Sequence, residues 1–389
     1  MPLEALPPRP GHGMTAEFNL ENFHQTIDVE PQEPRPLRTL PAEWAPQSAI
    51  LISWPHAETD WADILDEVTE CYVRMAYAIA AHQPLIILVV EGLDVSSLLE
   101  KRLPQTVFSN ITFVVVPKTN DTWVRDYGFL TVQSTGGAEL MDFRFNGWGG
   151  KFQADHDNAA NRLLFETQLL RGHYVDALDF ELEGGGIESD GCGTLLTTAE
   201  CLLNPNRRRQ GDAVPTPDKA QVEALLKERL GVERILWLHH GYLAGDDTDS
   251  HIDTLARLCP NDTIIYVQCT DTADEHYEAL AAMEQELQAF RTLEGKPYRL
   301  IPVPLPDACY DEEERLPATY ANFLIMNKVV LVPTYAQPEK DALALKNIQK
   351  AFPEREIIGV DCRALIRQHG SLHCATMQFP REVFRTPAQ

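Results

Sequence analysis

The sequence predicts an α/β fold in which buried strands alternate with helices. Two observations support this prediction. Short apolar runs bounded by turn-forming residues recur from Ala49 onward, and segments with helical spacing of their apolar residues lie between those runs. No change in composition divides the core. A length of 389 residues suggests two or three domains of about 100–200 residues each, but one larger fold built from repeats fits equally well.

The predicted strands are apolar runs of four to six residues, which is the pattern of strands buried on both faces. In chain order they are Ala49–Trp54, Leu85–Val90, Ile111–Val116, Ile235–Leu238, Thr263–Val267, Phe323–Met326, Val329–Val332 and Ile357–Val360.

The predicted helices lie between these strands, and several of them open on an aspartate or follow a proline, as helix N-termini do. Strand pairs followed by a helix and a further strand recur at a spacing that is compatible with several similar units. The predicted helices are Asp63–His82, Asp157–Leu170, Asp218–Leu230, Ala273–Phe290 and Glu339–Ala351.

The first 40 residues differ from the rest, because they carry many prolines and little periodic apolar pattern. We therefore predict an N-terminal extension over 1–40 and a single folded domain over 41–389. No apolar stretch approaches the roughly 18 residues of a membrane span, and the start lacks the apolar core of a signal peptide. These features predict a soluble protein that is not exported and does not act at a membrane.

The formal net charge is −25, from 58 acidic and 33 basic residues, which argues against a nucleic-acid partner, whose phosphates need basic side chains. A small cationic molecule suits this charge better, although solubility alone also explains it. The eight cysteines form no C-x-x-C pair, so neither a zinc ribbon nor a compact disulfide framework is indicated. Reduced thiols in a cytoplasm are expected. The sequence leaves open whether the chain forms a homo-oligomer.

Cys374 is the first candidate for chemistry, because cysteine is the most nucleophilic common side chain. It follows His373 and a Gly370-Ser371 pair that permits a tight backbone. The alternative is a buried structural cysteine, which is what most cysteines are.

The segment Gly245–Asp253 is rich in aspartate and contains His251. In an extended backbone His251 and Asp253 would point to the same side and place a proton carrier and an anion in one pocket. A calcium loop is an alternative, but the central glycine and terminal glutamate of the EF-hand pattern are missing. A zinc site would need a second histidine or cysteine at suitable spacing, and none is present.

A third segment, 119–128, follows the predicted strand Ile111–Val116 and contains Trp123, Arg125 and Asp126. Loops at strand ends are where α/β folds place ligand contacts. The alternative is a surface pair of Arg125 and Asp126 beside a core tryptophan.

A fourth segment, 182–191, contains Glu183 followed by three glycines. Such a run lets the backbone approach a ligand closely, but glycine runs also form ordinary turns. The segment lacks the spacing of phosphate-binding loops.

Taken together, these segments resemble the agmatine deiminase and bacterial-type peptidylarginine deiminase family of guanidine-modifying enzymes. The matching pieces follow the family order from about Trp44 to Pro380, and the ordered set is far more specific than any single piece. They are Trp123-Val-Arg-Asp126, Phe145-Asn-Gly-Trp148-Gly-Gly150, Glu183-Gly-Gly, Gly193-Thr-Leu-Leu-Thr-Thr198, Cys201-Leu-Leu-Asn-Pro-Asn-Arg207, Gly245-Asp-Asp-Thr-Asp-Ser-His251-Ile-Asp253 and His373-Cys374.

The resemblance implies the pentein fold, a five-bladed pseudosymmetric α/β propeller with its site at the centre, over 41–389. It implies hydrolysis of agmatine to N-carbamoylputrescine and ammonia through an S-alkylthiouronium on the cysteine, with no metal and no organic cofactor. The implied site residues are Cys374 as nucleophile, His251 as general acid/base, Asp126 and Asp253 as carboxylates that hold the guanidinium, Glu183 as the acid that orients the histidine, and Trp123 as an aromatic contact to the substrate.

The chain departs from plant-type agmatine deiminases in two of these pieces, which leaves the pocket for the distal end of the substrate open. It has His369-Gly370-Ser371 before the His-Cys pair and Met377-Gln378-Phe379 after it, where those enzymes have a longer glycine-rich approach and a glutamine pair. It also has Ser250–Thr254 where they have Gly-His-Val-Asp-Asn. A deiminase of peptidylarginine or another guanidino compound, a non-catalytic guanidine-binding protein and a metal-dependent hydrolase remain as alternatives.

Overall fold

The computed structural model describes residues 37–207 and 218–385. Most of the predicted N-terminal extension, 1–36, lies outside the described residues, so that this part of the prediction stays a prediction. Inside its last four residues, Arg38–Thr39 form a strand that pairs antiparallel with Ser134 and Gln133.

The described strands are β1 (Arg38–Thr39), β2 (Gln47–Ser53), β3 (Leu85–Val90), β4 (Ile111–Val116), β5 (Leu130–Ser134), β6 (Gly137–Arg144), β7 (His173–Glu181), β8 (Ile187–Ser189), β9 (Thr194–Thr198), β10 (Arg234–Leu238), β11 (Ala256–Cys259), β12 (Thr263–Gln268), β13 (Arg299–Pro304), β14 (Cys309–Asp311), β15 (Glu314–Leu316), β16 (Leu324–Ile325), β17 (Val329–Thr334), β18 (Glu356–Asp361) and β19 (Met377–Pro380).

The described helices are α1 (Leu65–Ala80), α2 (Val95–Arg102), α3 (Gln105–Phe108), α4 (Val124–Tyr127), α5 (Gly147–Gly150), α6 (Asp155–Glu166), α7 (Ala199–Leu202), α8 (Lys219–Leu230), α9 (Tyr277–Ala289), α10 (Pro338–Gln349) and α11 (Arg363–Ile366). Single 3₁₀ turns lie at Ala62–Ile64, Gly184–Gly186 and Ile252–Thr254.

Five sheets in the described chain repeat one arrangement: an antiparallel strand pair, a helix, and a strand parallel to the second member of the pair. The strands of these units are β5-β6-β7, β8-β9-β10, β11-β12-β13, β16-β17-β18 and β19-β2-β3, and their helices are α6, α8, α9, α10 and α1. The predicted α/β class is confirmed, and the fivefold repetition agrees with the pentein fold that the resemblance implies.

The two ends of the folded chain meet in one of these units. β19 pairs antiparallel with β2, with Met377 opposite Leu51 and Phe379 opposite Ala49. β3 and β4 extend the same sheet in parallel. The C-terminal strand therefore completes the sheet that the N-terminal part of the domain begins.

Local sequence explains why these elements form. Helix α1 buries residues one turn apart, including Val68, Tyr72 and Ile79, against the sheet core. Helix α8 begins where the Asp218 carboxylate accepts the Ala220 N–H (3.1 Å). It ends at Gly231, whose φ of 68° is a left-handed conformation that favours glycine. Among the described residues, the helices include none that is both long and apolar enough to span a bilayer.

Candidate active site

Each of the five units contributes one segment to a common site, and each segment comes directly before the first strand of its unit. The segments are 123–128 before β5, 183–186 before β8, 251–254 before β11, 322 before β16 and 371–376 before β19. The predicted site residues thus belong to four different units, and the fold brings them together.

Cys374 is a buried residue that lines a cavity together with Trp123 and Asp126. Its turn is fixed by hydrogen bonds from the Ala375 N–H to the Ser371 carbonyl (3.3 Å) and from the Arg125 N–H to the Cys374 carbonyl (3.1 Å). The Cys374 Sγ lies 3.2 Å from Asn322 Nδ2 and 3.8 Å from Asp253 Oδ2. The predicted nucleophile therefore faces the cavity beside one of the predicted guanidinium ligands.

Gly185 marks the point where three predicted side chains converge. A Cβ at this glycine would lie 2.7 Å from both Asp126 Oδ1 and His251 Nδ1, and 3.1 Å from Asp253 Oδ2. Real Cβ atoms do not approach polar atoms this closely, so only glycine fits. The glycine run lets the backbone pass close behind the site.

The backbone from His251 to Asp253 is not the extended one that would place both side chains on the same side. Ile252–Thr254 form a 3₁₀ turn, which the Thr254 N–H closes on the His251 carbonyl (3.2 Å). Alternation of side chains with period two does not apply to such a turn. Both side chains still reach the site, because the turn is held beside Gly185 from another unit.

Asp126 is buried beside Arg125, so the alternative of a surface pair is wrong. Its Oδ2 accepts a hydrogen bond from Trp148 Nε1 (2.9 Å), and its Oδ1 accepts one from the Gly185 N–H (3.0 Å). Burial raises the pKa of Asp126 to about 6, against the opposing influence of His251. Asp126 is therefore ionised at neutral pH but close to taking up a proton.

The carboxylate of Asp253 differs from that of Asp126 in its hydrogen bonds and in the direction of its pKa shift. Its Oδ2 accepts a hydrogen bond from His373 Nδ1 (2.8 Å), while its buried Oδ1 has no hydrogen-bond partner among the described residues. Burial by itself would raise the pKa of Asp253, but the hydrogen bond and charge of His373 outweigh it and hold the pKa below its ordinary value. Asp253 thus offers a charged oxygen that is free to bind a cation.

His251 is fully buried between two carboxylates. Its Nδ1 lies 3.6 Å from Asp126 Oδ1, its Nε2 lies 4.0 Å from Glu183 Oε1, and neither nitrogen makes a hydrogen bond within the described chain. Burial would lower the pKa of His251, but Asp126, followed by Cys201 and Glu183, raises it well above the ordinary range. The imidazole is thereby kept protonated and able to give up a proton.

Glu183, the predicted orienting acid, faces His251 as an ion pair at 4.0 Å and not as a hydrogen bond. Its Oε1 accepts a hydrogen bond from Arg207 Nε (2.8 Å). Arg207 also donates to the Thr248 carbonyl (2.9 Å) and to Asp249. The arginine therefore ties the glutamate to the loop that carries the histidine.

A buried ion network that sequence reasoning missed supports Asp253 from behind. His373 Nε2 lies 2.7 Å from Glu43 Oε2, and Arg257 Nη2 donates to the same oxygen (2.7 Å). Arg257 also donates to Glu188. The motifs contain His373 beside the cysteine and Glu188 in the segment 182–191 but indicate no role for either, and Glu43 and Arg257 lie outside the motifs.

Asn322 is a second missed residue. Besides its contact with the thiol, its Oδ1 accepts the backbone N–H groups of His373 (2.9 Å) and Cys374 (3.2 Å). An isolated asparagine gives no signal by itself. Asn322 comes just before β16, the first strand of its unit, and the other site segments occupy the same place in their units. An alignment of the five repeats would therefore have pointed to it.

Trp123 lines the cavity and packs on the Gly370 backbone. Its ring centroid lies 5.5 Å from that of Trp61. The outer part of the cavity carries the carboxylates of Asp60, Asp121 and Asp247, and no lysine or arginine lines it among the described residues. Burial raises the pKa of Asp121 to about 6 and also raises the pKa of Asp247.

The aspartate-rich run builds a loop. Asp246 accepts hydrogen bonds from Thr248 Oγ1 (2.6 Å) and the Ser250 N–H (2.7 Å), while Asp249 pairs with Lys151 (3.0 Å). These bonds hold left-handed backbone at Asp249 and Ser250, with φ of 62° and 61°. Asp246 and Asp249 are therefore already bound to groups of the protein, which argues against a metal-dependent hydrolase that uses this run.

Burial, followed by the charges of Asp253 and Asp126, raises the pKa of the Cys374 thiol well above its ordinary value. A planar cation placed between the two carboxylates would neutralise their charge and so favour the thiolate. The arrangement can thus activate its nucleophile when a cationic substrate arrives.

Residues 39–380 match the family model described as Porphyromonas-type peptidyl-arginine deiminase. An agmatine deiminase of Stutzerimonas stutzeri is 30% identical over 89% of this chain and 96% of its own length. The substrate-bound structure of a C. jejuni agmatine deiminase variant shares 36% identity and a TM-score of 0.77 over 90% of this chain and 98% of that one. A Porphyromonas gingivalis structure, provisionally named an arginine deiminase, shares 49% identity and a TM-score of 0.83 over 90% and 100% of the two chains.

Proposed function

This chain belongs to the Porphyromonas-type peptidyl-arginine deiminase family, and on that premise we propose that it hydrolyses agmatine to N-carbamoylputrescine and ammonia. The observation that carries the proposal is the cavity. Cys374 and Asp126 line it at buried positions, Asp253 lies 3.8 Å from the sulfur, and the less buried part of the lining carries three more carboxylates.

The buried end suits a guanidinium. Asp126 and Asp253 accept its N–H groups in charge-assisted hydrogen bonds and fix its plane in front of Cys374. The sulfur attacks the central carbon and forms a tetrahedral adduct. His251 protonates one nitrogen, which leaves as ammonia, and an S-alkylthiouronium remains on Cys374. His251 then removes a proton from water, whose oxygen displaces the sulfur and gives the ureido product and the free thiol.

The outer part of the cavity distinguishes agmatine from arginine. Agmatine carries an ammonium at its distal end, whereas arginine also carries a carboxylate. One pair of unit charges at 4 Å contributes about 1 kcal/mol in water and about 4 kcal/mol near a protein surface. Arginine carries the same amine, so that only the repulsion of its carboxylate by Asp60, Asp121 and Asp247 separates the two substrates, and one such pair near a protein surface favours agmatine by at least about tenfold.

The finer biological setting is part of the same proposal. All eight cysteines are free thiols, which fits a reducing compartment such as the cytoplasm. The product carries one remaining amine and a ureido group, so that hydrolysis of the latter would yield putrescine for polyamine synthesis.

The test is ammonia release from agmatine, arginine and an arginyl peptide by the wild type, by Cys374→Ala and by Cys192→Ala as a control at an exposed thiol. We expect turnover of agmatine by the wild type and the control only, with an adduct on Cys374 in mass spectra of a stopped reaction. Faster turnover of the arginyl peptide would establish the peptidylarginine alternative. Binding of agmatine without ammonia release would establish the non-catalytic one, and an active Cys374→Ala would overturn the mechanism.

A further inference from the structure

Glu183, Cys201 and His251 form a cluster whose thiol is not used by the proposed reaction. One ligand atom from each residue lies within 4.8 Å of the others, and all three residues are buried. The sequence offers His251 no second zinc ligand at a recognised spacing, but α7 brings the Cys201 side chain to it from another part of the chain.

The donor set is one that zinc prefers. Thiolate sulfur, imidazole nitrogen and carboxylate oxygen are its common protein ligands, at about 2.3, 2.0–2.1 and 2.0–2.2 Å. Ligand atoms of a tetrahedral site at those bond lengths are about 3.3–3.6 Å apart. The distance from His251 Nε2 to Glu183 Oε1 is 4.0 Å, and the three ligand atoms lie within 4.8 Å of one another, so that movements of about 1 Å would bring them to these separations.

Two unsatisfied atoms point independently to a ligand here. His251 Nε2 and Glu183 Oε2 are buried and make no hydrogen bond within the described chain. Such an atom costs about 1–3 kcal/mol when it is left without a partner. A metal ion bound to the nitrogen and to the glutamate would satisfy both residues.

The neighbouring charges permit a dication. Arg207 holds Glu183 Oε1 (2.8 Å) and opposes a metal, but it also fixes the carboxylate and leaves Oε2 free. Asp126, 3.6 Å from the other nitrogen of His251, adds a compensating negative charge. Zinc would form bonds to the Cys201 sulfur and to His251 Nε2 as the thiol and the imidazolium each give up a proton to solvent, so that binding releases two protons.

We propose that Cys201, His251 and Glu183 form an inhibitory site for Zn²⁺ next to the nucleophile. A zinc ion bound there occupies the nitrogen of the histidine and prevents it from carrying protons. The loss of activity rests on the proposed function, whereas metal binding itself does not. Zinc would therefore stop turnover without touching Cys374.

The activity test titrates zinc into the wild type, Cys201→Ala, the isosteric Cys201→Ser, and Cys192→Ala as a control. Loss of a supporting outer-shell group weakens metal sites about 10–100-fold, and loss of a ligand should raise the half-inhibiting zinc concentration by at least that factor. Inhibition should be reversed by a chelator and unchanged in Cys192→Ala. Equal inhibition of wild type and both Cys201 variants would overturn the proposal and place the metal on Cys374.

Binding is measured separately with Co²⁺ in Cys374→Ser, which needs no turnover. The thiolate-to-cobalt charge-transfer absorption should be present in this variant and absent from Cys201→Ser/Cys374→Ser. Absorption that survives in the double variant, or no absorption in Cys374→Ser, refutes the site. Because this readout is independent of activity, a failure of the agmatine assay does not affect it.

Discussion

Replacement of Trp148 by phenylalanine is expected to move the acid limb of the pH–rate profile upward. The indole Nε1 donates a 2.9 Å hydrogen bond to Asp126 Oδ2, and Asp126 already has a pKa raised to about 6 by burial. Below that pH Asp126 takes up a proton and can no longer accept two guanidinium N–H groups. In the wild type kcat/KM for agmatine should therefore fall as the pH drops through about 6.

The size of the shift follows from the hydrogen bond. A hydrogen bond to a charged group contributes about 1.5–3 kcal/mol, and each pKa unit corresponds to about 1.4 kcal/mol. Loss of the Trp148 donor destabilises the charged carboxylate, so that the acid limb should rise by about one to two pH units. Trp148→Phe should be strongly impaired at pH 7 and recover at higher pH. Because the ionisations of Asp126 and His251 influence each other, the apparent pKa of the acid limb belongs to the pair of residues.

The assay is kcat/KM for ammonia release, measured from pH 5 to 10 at constant ionic strength. Trp237→Phe is the matched control, because it removes an indole hydrogen bond to Glu223 Oε1 (2.8 Å) away from the cavity. Its acid limb should coincide with that of the wild type. An unshifted limb in Trp148→Phe would refute the assignment of this ionisation to Asp126.

Three further substitutions test the support of the site. Gly185→Ala places a methyl group 2.7 Å from two polar site atoms, so kcat/KM should fall about 100-fold or more. Gly136→Ala is the control, because its Cβ would meet no atom closer than 3.6 Å, and it should match the wild type in the same assay. Asn322→Ala removes the amide nitrogen that lies 3.2 Å from the Cys374 sulfur, and the single-turnover rate should fall about 10²–10³-fold. An unchanged rate would show that Asn322 has no role in the reaction. His373→Gln removes the imidazole that links two buried carboxylates, so urea unfolding should show about 3–5 kcal/mol lower stability. Arg102→Ala, at an exposed pair, should show no change.

Buried apolar runs made the fold predictable from the sequence. Leu85–Val90 and Ile111–Val116 are strands over the predicted residues. Leu85–Val90 is buried almost throughout, as an unbroken apolar sequence in a parallel sheet predicts, whereas Ile111–Val116 is the edge strand of the same sheet and leaves Val115 exposed. β6 and β7 gave no such signal, since they mix charged and apolar side chains. Their pairing with each other is decided by tertiary contacts that a local pattern does not record.

The site was predictable where its chemistry requires rare residue combinations. Cys374, His251 and the two aspartates stand in motifs, and the fold brings the histidine and both aspartates together at Gly185 with Asp253 3.8 Å from the thiol. Glu43 and Arg257 could not be predicted, because nothing in the local sequence distinguishes them from exposed charged residues. Their role arises from the fold, which buries both side chains and pairs them with each other. Asn322 acts only through its position beside the thiol, which depends on the fold.

The pairing of β19 with β2 has a consequence for the order of events during synthesis. The N-terminal part of the domain leaves the ribosome long before its last partner strand exists, and contacts of such large sequence separation form late. Cys374 lies just before β19, so the carboxylates, histidine and asparagine can surround the thiol only after this late segment has been synthesised. The thiol proposed as nucleophile is thus the last of these groups to be made, and a polypeptide that stops before β19 lacks the complete candidate site.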